Sequence, residues 1–291
     1  MNLHERSTIA AIKARHNFKL SKSLGQNFIT DYGVIEDIVS GSGAGPDDLV
    51  IEIGPGIGVL TDAAADAAAR VIAIEIDDKL IPILNETLAH HDNVRIIHAD
   101  VLKTDISAVI AEERAAGTFS GSVKIMGNLP YYITTPIIMG LLENGVEAES
   151  ITIMMQKEVA YRIKAAPGSK AYGALSVAVQ YYCDVEQVCL VSKEVFLPRP
   201  KVDSSVLKLT LRENKPVELL DEQAFFECVR GGFGQRRKTL SNSLTGVRGL
   251  SREQVKDVLA KAGIDGVRRA ETLTIDEFAA IANAVSEQET N

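Results

Sequence analysis

A chain of 291 residues, 46% hydrophobic and 24% charged, has the composition of a globular protein and the length for two domains, one core much larger than the other. No apolar run approaches the ~20 residues that span a bilayer, and the N-terminus, broken by charge every few residues, lacks the apolar centre of a signal peptide. The net charge of −8 by itself argues against a polyanionic partner, and three cysteines (Cys183, Cys189, Cys228) without CxxC spacing exclude a disulfide framework or a cysteine zinc site and fit a reducing cytoplasm.

Residues 1–30 read as a flexible basic arm with a short helix near 7–14. The arm ends in the aperiodic run Lys22-Ser-Leu-Gly-Gln-Asn-Phe28. Asp31 can cap a helix over 32–40, and 41–48 is a loop. Strand and helix then alternate. Strands are expected at 49–53, 70–74, 94–98, from Val123 to Met126 and at 150–155. Helices between and after them fall near 59–69, 78–89, 106–115 and 135–144. Helices at 156–165 and 173–182 and strands at 183–191 and 205–211 complete the first domain, residues 1–212. This alternation predicts an α/β domain with a mostly parallel, Rossmann-like sheet covered on both faces. After a linker at Lys215-Pro216, only helical patterns remain, near 221–232, 236–244, 251–262 and 274–286. Residues 213–291 therefore form a small all-helical domain.

Charge is segregated along this order. Residues 1–30 carry +4, residues 193–212 carry +3 and residues 230–252 carry +6, which leaves −21 on the remainder. Such a chain can present a basic face to a polyanion while its average stays acidic.

The ends of the predicted strands carry the chemistry. Val50-Ile-Glu-Ile-Gly-Pro-Gly-Ile-Gly58 sets glycines Gly54, Gly56 and Gly58 between a strand and a helix, where a ligand can approach bare backbone. The spacing is GxGxG, not the GxGxxG of a dinucleotide clamp. Glu75 ends the second strand, placed to meet a ribose hydroxyl pair. Asp100 ends the third, where it could accept from an adenine amine or merely cap a helix. Ile76 and Val101 beside them suit a flat purine ring or ordinary core packing. Three nucleoside-binding groups without a phosphate clamp favour S-adenosyl-L-methionine over NAD.

The fourth strand ends in Asn128-Leu-Pro-Tyr131. An adenine amine is a poor nucleophile because its lone pair is delocalised into the ring. The Asn128 side-chain carbonyl and a main-chain carbonyl of the Leu129-Pro130 pair can accept its two N–H bonds and draw it towards a tetrahedral state. Tyr131 can stack on an extruded base, and Tyr132 reads as packing.

The motifs Leu24-Gly-Gln-Asn-Phe28, Glu52-Ile-Gly-Pro-Gly56, Asn128-Leu-Pro-Tyr131, Met155-Gln-Lys-Glu-Val159, Phe196-Leu-Pro-Arg-Pro-Lys-Val-Asp-Ser204 and Phe233-Gly-Gln-Arg-Arg-Lys-Thr-Leu240 occur together. From about Ser21 to its end the chain resembles the ribosomal RNA adenine dimethyltransferases of the small-subunit (16S) type. The resemblance implies transfer of two methyls to each of two adjacent adenines near the 3′ end of 16S rRNA during ribosome biogenesis. It implies that Asn27 and the backbone of Ile29 hold the cofactor with Gly54, Glu75, Asp100 and Asn128. Phe196 would lie on the target base opposite Tyr131 or serve as core. Lys201 and Arg236, Arg237 and Lys238, read as opening a helix, would contact RNA phosphates. A cytoplasmic monomer acting on the immature small subunit, without metal or membrane, is expected. Ile29 and Gly266 stand where the family usually has Leu and Pro, and 105–123 reads as a surface insertion. A large-subunit rRNA methylase, an assembly factor and a NAD oxidoreductase are the competing readings.

Overall fold

The structure, a computed structural model, describes residues 2–21, 25–235 and 237–289. In chain order the elements are α1 (Arg6–Arg15), β1 (Phe28–Ile29), α2 (Tyr32–Ser42), β2 (Leu49–Ile53), α3 (Val59–Ala67), β3 (Arg70–Glu75), α4 (Ile81–Thr87) and β4 (Val94–His98). There follow α5 (Ile106–Ala115), β5 (Val123–Asn128), α6 (Thr134–Glu143), β6 (Ser150–Gln156), α7 (Lys157–Ile163) and α8 (Ala174–Tyr182). Then come β7 (Cys183–Val191), β8 (Phe196–Leu197), β9 (Ser204–Leu211), α9 (Glu222–Gly234), α10 (Leu240–Ser243), α11 (Arg252–Lys261) and α12 (Ile275–Glu289).

Two compact units result: Met1–Ala160 with Asp184–Leu211, and Tyr161–Cys183 with Arg212–Asn291. The first holds a seven-stranded sheet of order β4-β3-β2-β5-β6-β9-β7. Strands β4, β3, β2, β5 and β6 run parallel, and β9 joins β6 antiparallel. Residues Leu49–Ile53 are buried throughout, as a central strand covered on both faces requires. The chain builds outwards from β2 to β3 and β4, then returns to place β5 on the other side of β2. The gap above the carboxyl ends of β2 and β5 is thus the switch point at which open α/β sheets bind ligands.

The N-terminal segment differs from the flexible arm expected. Leu3, Ile9, Ile12 and Phe18 are buried in the main hydrophobic core. Arg15 and His16 both pair with Glu86 at the end of α4. Nor is 105–123 a mere surface insertion. Glu113 of α5 is buried and takes charge-assisted hydrogen bonds from Arg70 of β3 and Arg95 of β4. Burial alone would raise its pKa, but Arg70, Arg95 and Thr118 outweigh it and hold the carboxyl below its ordinary value.

The second unit claims residues 161–183, which the sequence reading assigned to the first domain. The reason is aromatic. Tyr181 and Tyr182 of α8 pack on Phe225 and Phe226 of α9, and both hydroxyls donate to Glu222 at 2.8 Å. Lys215 is no loose linker, since its ammonium stands 4.0 Å from the Tyr182 ring centre. Asp221 caps α9 by accepting from Gln223 and Ala224. The Gly266 carbonyl accepts from both the N–H and the hydroxyl of Ser241.

Candidate active site

The backbone comes first. Gly54 and Gly56 both take left-handed φ, +70° and +62°, which β-carbon-bearing residues avoid. A β-carbon on Gly56 would lie 3.0 Å from the Phe28 ring. At the end of β5 a β-carbon on Gly127 would lie 2.7 Å from the Ile53 carbonyl oxygen, so two strand ends meet here at close quarters. Together with the Gly25–Ile29 segment they bound an open cleft of about 1110 Å³, mouth included, lined by Gly54, Glu75, Ile76, Asp100, Asn128 and Tyr131 among others.

Glu75 is buried at the end of β3 and its carboxylate is tightly held. It accepts from the N–H of Gly56 at 3.2 Å and from those of Ile76 and Asp77 at 2.9 Å. Burial raises its pKa, while these three bonds favour the charged form. The carboxylate thereby sets both the glycine turn and the β3 exit. Ile76 is 51% exposed, so core packing does not account for it. An uncovered isoleucine on the cleft wall is a platform for a flat apolar ring. Asp100 caps a turn after β4 and borders the cleft. One oxygen accepts from Leu102 N–H and starts a short 3-10 turn, Val101–Lys103, and the residue also lines the cleft with Val101. These features fit the S-adenosylmethionine expected: a bare-backbone turn for a close approach, a fixed carboxylate for a diol and an apolar wall for a purine.

Asn128 is oriented by a distant segment. Its side-chain N–H donates to the main-chain carbonyl of Asn27 at 2.8 Å. A carbonyl only accepts, so the amide nitrogen must face it, and Oδ1 is left as the side chain's acceptor. Asn27 is itself pinned, its amide donating to the Gly25 carbonyl at 2.8 Å. The Pro130 carbonyl is occupied by the Ile133 N–H and the Thr134 hydroxyl. Tyr131 is half-buried, and its hydroxyl and Ser204 Oγ lie 2.9 Å apart. Burial pushes its pKa up, so the ring stays neutral. Tyr132 departs from the packing role expected: it is 62% exposed and lines the cleft.

The RNA-contact candidates separate. Phe196 is buried in β8, pairs with Ile29 of β1 and lines the cleft, so it is a core residue with one edge on the site. Ile29 is likewise buried, which suits a contact made through its backbone. Lys201 is exposed in the bend before β9. Arg236 lies outside the described residues. Arg237 and Lys238 are exposed but do not open a helix. They sit in a turn, and α10 begins only at Leu240. Arg248, within the same basic run, is engaged by Asp221 and Glu227.

Two site residues escaped the sequence reading. Gln26 donates to Asp77 at 2.7 Å while accepting from Ser21 N–H, which ties the N-terminal segment to the Glu75 turn. Its signal was its place inside an aperiodic run. Glu52, inside β2, lies fully buried on the cleft lining, and an acid within an apolar strand was the clue.

A family model described as "Ribosomal RNA adenine dimethylase" matches residues 17–287. The ribosomal RNA small subunit methyltransferase A of Alkaliphilus metalliredigens is 50% identical over 282 residues, covering 96% of each chain. That of Oceanobacillus iheyensis is 48% identical over 276 residues, covering 94% of this chain and 92% of its own. Among solved structures, a dimethyladenosine transferase from Plasmodium falciparum superposes with a TM-score of 0.75 at 24% identity, covering 90% of this chain and 98% of its own. The 23S rRNA methyltransferase ErmE superposes with a TM-score of 0.65 at 27% identity, covering 89% and 99%.

Proposed function

This chain belongs to the ribosomal RNA adenine dimethylase family, and we propose that it dimethylates the exocyclic amines of two adjacent adenines near the 3′ end of 16S rRNA in the immature small subunit. It is an S-adenosylmethionine-dependent rRNA adenine dimethyltransferase. When bound, the cofactor supplies an electrophilic methyl group on its sulfonium. The protein's part is positioning.

Glu75 holds the ribose diol, Asp100 the adenine amine, and Ile76 and Val101 the purine faces. The glycine turn and the Asn27–Ile29 backbone take the remainder. Asn128 Oδ1 and the Leu129 carbonyl accept the two N–H bonds of the target amine, which concentrates its lone pair towards the donor. Tyr131 stacks on the extruded base, and the exposed Tyr132 joins it at the mouth. Lys201, Arg236, Arg237 and Lys238 contact phosphates and set position rather than sequence. Recognition then rests on the shape of the subunit and its unpaired bases. The protein acts as a cytoplasmic monomer and uses no metal in the transfer. Among the described residues no helix is long and apolar enough to cross a membrane.

The observation that carries this reading is the Asn27–Asn128 hydrogen bond, which presents a carbonyl acceptor at the end of β5. Labelled methyl transfer to purified subunits lacking the modification tests it. Small subunits should be labelled at two adjacent adenines and large subunits should not. Labelling confined to the large subunit would refute the assignment.

A further inference from the structure

Away from the cleft, two neighbouring histidines converge on one carboxylate oxygen. Asp62 lies in α3, and His90-His91 follow α4. The Nε2 atoms of His91 and His90 stand 2.9 and 3.0 Å from the same Oδ1 of Asp62. The ring centres are 4.1 Å apart. His91 is nearly buried, Asp62 partly so, and His90 faces solvent.

One ligand atom from each of the three side chains lies within 4.8 Å of the other two. A divalent ion among them would be held by two imidazole nitrogens and one carboxylate oxygen. A tetrahedral ion with bonds of about 2.0–2.2 Å sets its ligand atoms about 3.3 Å apart, close to the two separations found. His90 faces solvent, from which a water would supply the fourth ligand. Two imidazoles and one carboxylate form a donor set of intermediate softness.

We propose that Asp62, His90 and His91 form a binding site for a divalent transition-metal ion of the zinc class. This revises the expectation of a metal-free chain, although the ion takes no part in methyl transfer. Its place suggests a structural clamp. The Asp62 N–H donates to Gly58, at the end of the glycine turn, and Thr87 at the end of α4 donates to the Ile57 carbonyl at 3.0 Å. The ion would cross-link these two segments directly behind the cofactor turn, joining positions 29 residues apart in the case of Asp62 and His91.

Metal-stripped full-length protein, titrated with Zn2+ and separately with Co2+, provides the test. The expected results are one tightly held equivalent of Zn2+, the visible bands of tetrahedral Co2+ and a rise of several degrees in the unfolding midpoint. His90→Ala, at a solvent-facing position, and Asp62→Asn should each weaken Zn2+ binding by at least about tenfold and remove the thermal shift. Methyl transfer by the stripped variants should match that of the stripped parent. If the stripped parent takes up no ion at micromolar Zn2+, the proposal fails. It fails equally if uptake is unchanged in both variants, since the ion would then sit elsewhere, for example on the cysteines.

Discussion

The Thr61 hydroxyl donates to Glu52 Oε2 at 2.5 Å, beneath the glycine turn and out of reach of bulk water. Burial pushes the Glu52 carboxyl from its ordinary 4.5 up to about 8, the Thr61 bond opposing and the charge on Glu75 adding. Between those two values the folded chain holds a proton that the unfolded chain has released. The contribution of Glu52 to stability is therefore fully present below pH 4.5, declines as pH rises to about 8 and is level above that. Glu52→Gln should flatten this part of the curve of unfolding midpoint against pH. Parallel curves for parent and variant would show that another group is responsible.

Asn128→Ala removes the acceptor for the target amine and leaves the Asn27 carbonyl without its donor. Single-turnover methyl transfer should fall on the order of 10²–10³-fold, as for loss of one preorganised dipole. Cofactor affinity, measured calorimetrically, should change far less. Equal losses in rate and affinity would reduce Asn128 to a cofactor ligand.

The two glycines of the turn should fail differently. A β-carbon on Gly54 meets nothing within 4 Å, so Gly54→Ala costs the chain mainly left-handed strain, about 1–2 kcal/mol, while obstructing the cofactor's space. Gly56→Ala adds a collision with Phe28. Thermal unfolding should rank Gly56→Ala as the less stable variant. Cofactor titration should find Gly54→Ala impaired beyond its small loss of stability.

Tyr131 separates ring from hydroxyl. Tyr131→Phe loses only the Ser204 hydrogen bond and should keep most of its activity. Tyr131→Ala loses a stacking surface worth about 1–3 kcal/mol per base. The difference should appear as weaker RNA binding in filter or anisotropy assays. A Phe variant as defective as the Ala variant would move the role from the ring to the hydroxyl.

The parallel sheet, the glycine turn and the acids at successive strand ends were legible because each is local: a short apolar run, a breaker and a polar residue at its end. The Asn27–Asn128 bond spans 101 residues, and no spacing rule reaches that far. Sequence also carries no depth. Ile76 and Tyr132 look like core residues until the backbone leaves them uncovered, and the N-terminal segment looks like a solvated arm until Ile9 and Ile12 are found in the core. Arg237 and Lys238 read as the start of a helix that in the structure begins only at Leu240. Tyr161–Cys183 was misassigned because its aromatic partners lie in α9, after the apparent linker.

Strands β1 and β8 have a consequence for how the protein is made. Beside them, the Thr30 N–H and hydroxyl both donate to the Val195 carbonyl, 165 residues further along the chain. The wall that carries Asn27 and Ile29 thus closes only when β8 is available. A nascent chain must emerge from the ribosome past Leu197 before its cofactor cleft is complete. Chains stalled short of that point should be unable to retain the cofactor, however well their first five parallel strands have formed.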